Sequence, residues 1–274
     1  LYWKQLAAVP ALEVVAHRTI WGFVCLAAWV SLRRRWAEAR SIARAPRTIG
    51  VLTGSAALIG CNWLLYIWAV THGHIVDASL GYYLNPLVNV LLGIVVLRER
   101  LSRGQALAVG LAAVGVAVLT LGHGRLPWIA LALAGTFGLY GLVRKTVAAD
   151  ALVGLLWETA MLAPLAAGWL LAAELRGTGT FGHGPLLPSV LLALGGAVTA
   201  VPLLLFALGA RALPLSTLGF VQYVSPSLQF LLGVFLFKEA FGAPQAVAFA
   251  CIWTALVLLS VEMRRRLRRL PGSR

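Results

Sequence analysis

The chain is short of acid, of cysteine and of charge altogether. Its 274 residues include nine Asp and Glu and three Cys, and only 12% are charged, where an average soluble domain carries about a quarter. So little charge leaves no hydrophilic coat for a globule in water. The cysteines (Cys25, Cys61 and Cys251) each lie inside an apolar run, which argues against a disulfide framework or a thiolate metal site. They fit small buried hydrophobes. No phosphate-cradling glycine loop ending in Lys-Ser or Lys-Thr occurs, so direct ATP drive has no support. A basic n-region with a cleavage site is also missing from the first residues. "LYWKQLAAVP" is expected to be the end of a segment cut off upstream, and residues 1–8 the last turns of a helix.

What the chain has instead is apolar length. Hydrophobic residues make up 60% of it, and a helix needs about 20 of them in succession to cross the hydrocarbon core. That ruler predicts spans near 11–32, 48–71, 75–97, 104–122, 127–143, 151–172, 185–209, 213–237 and 243–262. The expected fold class is all-α, a polytopic membrane protein of ten transmembrane helices with the first truncated. The formal charge of +14 falls between spans rather than in one patch, which disfavours nucleic acid as a partner. With the start of span 11–32 outside, inner segments hold 18 Lys and Arg and outer ones 4. Basic residues collect on the cytoplasmic side, so both termini are expected there.

The sequence also repeats itself. "YLNPLVNVLLGIVVLRERLSRGQA" (83–106) and "YVSPSLQFLLGVFLFKEAFGAPQA" (223–246) share eight of 24 positions at an offset of 140. "ALEVVAHRT" (11–19) and "ALVGLLWET" (151–159) keep the same offset, as do Lys4 and Arg144. Five spans per copy is an odd number, so the second copy enters the membrane from the opposite side. Glu99 then ends its helix inside and its counterpart Glu239 outside. Inverted repeats of this kind build secondary transporters with the substrate site near the midplane.

Several motifs fall in order along the chain: "YWK" (2–4), "EVVAHRTIW" (13–21), "NWLLYIWAV" (62–70), "ASLGYYLNPLVN" (78–89), "YGLVRK" (140–145), "WET" (157–159) and "STLGFVQY" (216–223). On these the chain resembles the drug/metabolite transporter superfamily with two EamA-type halves, and within it the chloramphenicol-sensitivity (RarD) family. The resemblance covers essentially the whole chain. It implies ten helices and transport, with a first EamA-type repeat over 1–125 and a second, carrying the basic tail, over 126–274. It leaves the substrate undefined.

Candidate site residues follow from polarity at depth. Arg18 lies roughly 10 Å below the outer boundary at 1.5 Å per residue, and an ionisable group there is a functional candidate by default. Its repeat mate Glu158 lies about as far above the inner boundary. The alternatives are a snorkelling Arg18 and a salt bridge from Glu158 between helices. Glu158 is a candidate for proton coupling, and so is His17, because an ordinary histidine changes charge near physiological pH; the alternative for His17 is a bond to a carbonyl. Asn62, Asn85, Asn89 and Gln222 suit either cavity or interhelical bonding. Pro86 and Pro226 are expected to break the equivalent helix in each half and free a carbonyl. Trp21, Tyr83, Tyr140 and Tyr223, with Trp63, Tyr66 and Tyr82, could line a pocket for an aromatic or amphipathic molecule. Arg18, Glu158, Asn85 and Tyr83 are expected to share one cavity. His72 and His74 lack a third ligand nearby, which makes a metal site weak.

The expected function is a secondary transporter of a small metabolite or drug, coupled to protons, in the inner membrane. A channel or lipid scramblase is the alternative, and an intramembrane enzyme is disfavoured because no nucleophile–base or metal set recurs. No cofactor is expected. The expected partners are a small-molecule substrate and membrane lipid, with a homodimer as an option.

Overall fold

The computed structural model describes residues 2–6, 8–72, 74–121, 128–231 and 243–268. All regular structure among them is helical: α1 (Ala11–Leu32), α2 (Trp36–Ala43), α3 (Pro46–Thr71), α4 (Ile75–Val95), α5 (Arg103–Leu121), α6 (Trp128–Thr146), α7 (Ala151–Leu175), α8 (Leu186–Ala212), α9 (Leu215–Gln222), α10 (Val224–Leu231) and α11 (Ala243–Arg268). Five of these, α1, α3, α4, α7 and α8, are long and apolar enough to cross a membrane. Helices α5 and α11 carry shorter apolar stretches over 103–118 and 246–262. The chain is a polytopic α-helical membrane protein. In hydrocarbon only a helix or a closed barrel satisfies every backbone group internally.

Three differences from the expected spans have local causes. A short helix, α2, occupies the stretch of the first basic loop. Its Ala39 and Ile42 are buried while its charged side chains stay outside, so it lies on the protein rather than crossing. The span expected over 213–237 divides at Tyr223 into α9 and α10. The segment at Trp3–Leu6 is a 3-10 turn rather than the end of an α-helix.

The chain forms two compact units. The first contains Leu1–His72 and Val143–Ala212. Within it α1 packs on both α7 and α8, and α3 packs on α7. The α1–α8 crossing is close because Gly22 meets Gly196: a Cβ on Gly196 would overlap the backbone of Trp21 and Gly22. Small residues at such crossings let membrane helices gain dispersion contact where lipid offers no hydrophobic drive. Leu26, Val30, Leu52, Leu152, Leu155 and Leu204 form its core.

The second unit contains Gly73–Leu142 and Leu213–Arg274. There α4 packs on α9 and α5 on α11. A Cβ on Gly219 would come within 2.5 Å of the Pro86 carbonyl, so α9 crosses α4 at that glycine. Beyond the end of α4, Glu99 folds back to cap α9. Its two oxygens accept from the backbone N–H of Leu215 at 2.6 Å and of Ser216 at 3.0 Å, and from the Ser216 hydroxyl at 2.6 Å. Gly93 makes the room, since a Cβ there would lie 2.7 Å from the carboxylate. The Gly and Glu that recur in the repeat are therefore a capping device in this half. The counterpart Glu239 lies outside the described residues.

Candidate functional site

Helix α7 begins at an Asp150 cap, whose carboxylate accepts from Leu152 N–H at 2.9 Å. Arg35, which precedes α2, donates to the same Asp150 oxygen at 2.8 Å and to Glu38. Burial pushes the Asp150 carboxyl up, but the hydrogen bond from Arg35 and the capped amides outweigh it and hold the group below the usual aspartate value.

Two turns further along α7 stands Glu158, 1% exposed. Arg144, near the end of α6, is 0% exposed and places Nη1 3.2 Å from Glu158 Oε1. Its Nη2 donates to the Ala151 carbonyl at 2.7 Å, and the Ser55 hydroxyl of α3 donates to Glu158 Oε1 at 2.6 Å. Gly154, one turn before Glu158, admits the guanidinium: a Cβ there would overlap Arg144 Nη1. A dry, hydrogen-bonded ion pair thus joins α3, the end of α6 and α7. The cation that meets Glu158 is Arg144, a residue the sequence places among the inner basic loops.

Arg18 is engaged elsewhere in the same unit. Its guanidinium carbon lies 4.0 Å from the centroid of the Trp63 ring, a cation–π contact that replaces water with a π face. Asn62 stands beside Trp63 on α3 and is half-buried. Next to Arg18 on α1, His17 is buried, stacks on Phe181 at 4.6 Å, and approaches Glu13 Oε1 at 3.9 Å. Trp21 leans on Phe181 at 6.2 Å, with its indole N–H buried and without a hydrogen-bond partner among the described residues. Glu13, expected only as a residue near a helix start, is 1% exposed.

In the second unit, Asn85 and Asn89 sit one turn apart on α4. Asn89 is fully buried, and its Nδ2 donates to Gln222 Oε1 of α9. Asn85 Oδ1, Asn89 Oδ1 and the Tyr223 hydroxyl are buried with no hydrogen-bond partner among the described residues. Tyr83 meets Phe249 edge-on at 5.6 Å. Tyr140 is fully buried, 5.9 Å from Phe137, which makes it part of the packing around α6. Tyr66 and Tyr82 are exposed.

The helix break expected at Pro86 is not there. Helix α4 runs unbroken from Ile75 to Val95 through Pro86, because proline removes one N–H and the neighbouring turns keep theirs. In the other half the break falls at Tyr223, and Pro226 lies in the first turn of α10. A missing N–H has no partner to lose there. His72, considered for a metal, stacks on Trp68 at 5.0 Å, its Nδ1 2.9 Å from the Trp68 carbonyl.

Chemically, the two units offer different things. The first holds its ionisable groups in pairs and stacks. The second holds buried amide and phenol groups whose hydrogen-bonding capacity is unfilled among the described residues, and each such group costs free energy until something polar meets it.

Comparison with known proteins adds to this geometry. The EamA-like transporter family matches residues 2–121. Protein RarD of Escherichia coli (strain K12) is 47% identical over 261 residues, covering 95% of this chain and 88% of that protein. An "Uncharacterized transporter" of Vibrio cholerae serotype O1 is 46% identical over 262 residues, covering 96% and 87%. A "Chloramphenicol-sensitive protein RarD" of Pseudomonas aeruginosa is 32% identical over 277 residues, covering 98% and 90%. One crystal structure superposes with a TM-score of 0.68 at 21% identity, over 97% of this chain and 92% of that one, a likeness of fold.

Proposed function

The chain belongs to the RarD group of the EamA-like transporter family, and from that premise we propose that it moves a small metabolite or drug by alternating access, coupled to protons. It is a membrane transporter, and its relatives are named as transporters rather than enzymes. The observation that carries the finer reading is the polar cluster on α4 and α9. Asn85 and Asn89 on the membrane-length helix α4, and Tyr223 at the end of α9, present two acceptors and a hydroxyl that are buried and unfilled among the described residues. Groups of this kind suit a solute with hydrogen-bonding edges, and the Tyr83–Phe249 ring pair in the same unit suits an aromatic or apolar body.

The inverted repeat has support from packing. A shift of 140 residues carries α1 onto α7, α3 onto α8, α4 onto α9 and α5 onto α11. The pairs α1–α7, α4–α9 and α5–α11 then map onto themselves, and α1–α8 maps onto α7–α3. A two-fold axis demands that pattern. On this reading the halves 1–125 and 126–274 are repeats in sequence order, while each compact unit draws segments from both. The basic segments favour the cytoplasmic membrane with both termini inside. Glu158 is the proposed proton carrier, because its protonation would cancel the attraction to Arg144 and release the end of α6 from α7. His17 is the second candidate.

Purified protein in proteoliposomes with an imposed pH gradient tests this against a panel of metabolites and drugs. Chloramphenicol heads the panel because the name of the Pseudomonas aeruginosa relative points to it. Saturable uptake that responds to the gradient and is lost in Asn89→Leu supports the proposal. Flux that ignores the gradient and never saturates makes the protein a channel or scramblase instead.

A further inference from the structure

A cavity of about 460 Å³ opens in the first unit among Glu13, His17, Ile20, Leu170, Glu174 and Phe181. Its volume suits a small organic ligand. Its charge does not suit the rest of the chain. In a protein of net charge +14 with nine acidic residues, two of the nine line this one space.

The Glu13 carboxylate is oriented with unusual completeness. Oε1 accepts the Thr180 N–H at 2.8 Å, the Thr180 hydroxyl at 2.8 Å and the Phe181 N–H at 3.2 Å. Three donors on one oxygen fix the side chain and tie α1 to the segment between α7 and α8. Oε2 is buried and accepts nothing among the described residues. A carboxylate offers about four acceptor positions, so one whole oxygen is left waiting for a donor. Glu174 lines the same cavity, with Oε1 2.7 Å from His183 Nε2. Phe181, backed by the His17 ring stacked on it, presents a π face, and Ile20, Ala167 and Leu170 supply an apolar wall.

From this geometry we propose that the Glu13–Phe181 cavity binds a primary ammonium group carried on an apolar body. An ammonium brings three N–H donors and a positive charge, which answers the unfilled Oε2, the second carboxylate and the aromatic ring together. A quaternary ammonium has the charge without a donor and leaves Oε2 as it is. The apolar wall takes the hydrocarbon part. Two sources share this chemistry: a free amphipathic amine and the aminoethyl headgroup of a phospholipid. The site rests on the first unit's geometry alone, so it stands or falls separately from the transport proposal.

The test uses the full chain in phosphatidylcholine nanodiscs, with empty nanodiscs subtracting lipid partition, and calorimetric titration of octylammonium and octyltrimethylammonium. Octylammonium is expected to bind about tenfold tighter or more, the worth of one charge-assisted hydrogen bond. Glu13→Gln keeps an amide oxygen for Thr180 and Phe181 but puts an NH₂ where Oε2 was. It should weaken octylammonium by a similar factor. Ala167→Phe fills the wall, leaves Glu13 untouched, and should weaken both probes. Equal binding of the two ammonium compounds, or unchanged octylammonium affinity in Glu13→Gln, overturns the proposal. Should Glu13→Gln fail to fold, unchanged affinity in Ala167→Phe overturns it equally. Displacement of octylammonium by phosphatidylethanolamine added to the nanodiscs assigns the site to the lipid headgroup. Absence of displacement assigns it to a free amine.

Discussion

Replacing Glu158 by glutamine perturbs one charge and almost no shape. The new amide would keep an oxygen for the Ser55 hydroxyl, which donates to Glu158 Oε1 at 2.6 Å. Arg144 would keep its bond to the Ala151 carbonyl. What disappears is the counter-charge 3.2 Å from a guanidinium that is 0% exposed. Removing one partner of a buried pair typically costs about 3–5 kcal/mol, chiefly from the charge left alone. For a chain of this size that corresponds to a fall in Tm on the order of 10 °C. Arg144→Met alone should cost a similar amount, and Arg144→Met with Glu158→Gln should cost clearly less than the two singles added together. Thermal unfolding in detergent, followed by size-exclusion of the surviving monodisperse fraction, measures all three. Additive losses would falsify the pair as an energetic unit, and an unshifted Glu158→Gln would show that the pair contributes nothing. The transport consequence is read in a variant set that survives purification. Glu158→Gln should retain counterflow exchange and lose accumulation driven by a pH gradient. Accumulation that persists moves the proton elsewhere, with His17 next to be tested.

Other perturbations separate packing from function. Gly219→Ala pushes a methyl group to within 2.5 Å of the Pro86 carbonyl, so it should lower thermal stability by a few kcal/mol through overpacking, about 1–3. Gly110→Ala meets nothing within 4 Å, and the same melting assay should find it neutral or more stable by up to about 1 kcal/mol from helix propensity. Asp150 has a lowered folded pKa through Arg35 and its cap, so its contribution is complete above the unfolded aspartate value and fades as pH falls through the lower folded value. Between about pH 5 and 2, native protein should lose stability more steeply than Asp150→Asn, and parallel curves would refute the assignment. Trp63→Leu removes the ring under Arg18 and should lower thermal stability by about 1 kcal/mol, the worth of one cation–π contact, in the same melting assay.

Most of the helices are legible in the sequence because an apolar run of membrane length has few other outcomes. The end of Ala11–Leu32 falls where the apolar residues give way to Arg33, Arg34 and Arg35. The division at Tyr223 is not legible, since proline marks the wrong residue: Pro86 is tolerated inside α4, and Pro226 follows the break rather than making it. Polar residues of the membrane helices are legible as candidates, but not their partners. Composition and depth single out Glu158, yet Arg144 reaches it around the α6–α7 turn. The available signal is Gly154, a small residue one turn from an acid and facing a basic helix end. Arg18 on Trp63 has no such signal, because a cation–π contact between helices leaves no spacing in the chain. Glu13 reads in the sequence as no more than a terminal residue. Its three donors come from residues 180–181, more than 160 positions away.

On the inverted repeat proposed above, the cap that Glu99 places on α9 bears on how a duplicated gene yields a chain that enters the membrane both ways. Loop charges cannot be inherited unchanged by a copy that flips, since the bilayer sorts lysine and arginine by side. The chain keeps three arginines at 98, 100 and 103, while a lone lysine stands at 238 in the matching stretch. A carboxylate bonded to the amides of its neighbouring helix answers to that helix alone and is indifferent to which compartment it faces. Gly and Glu at 93 and 99 recur at 233 and 239. The same Gly and Glu are thus kept in sequence while the surrounding basic residues differ between the copies. Divergence between the copies should then be concentrated in the loop cations, with the capping glycine and glutamate as the fossil of their common origin.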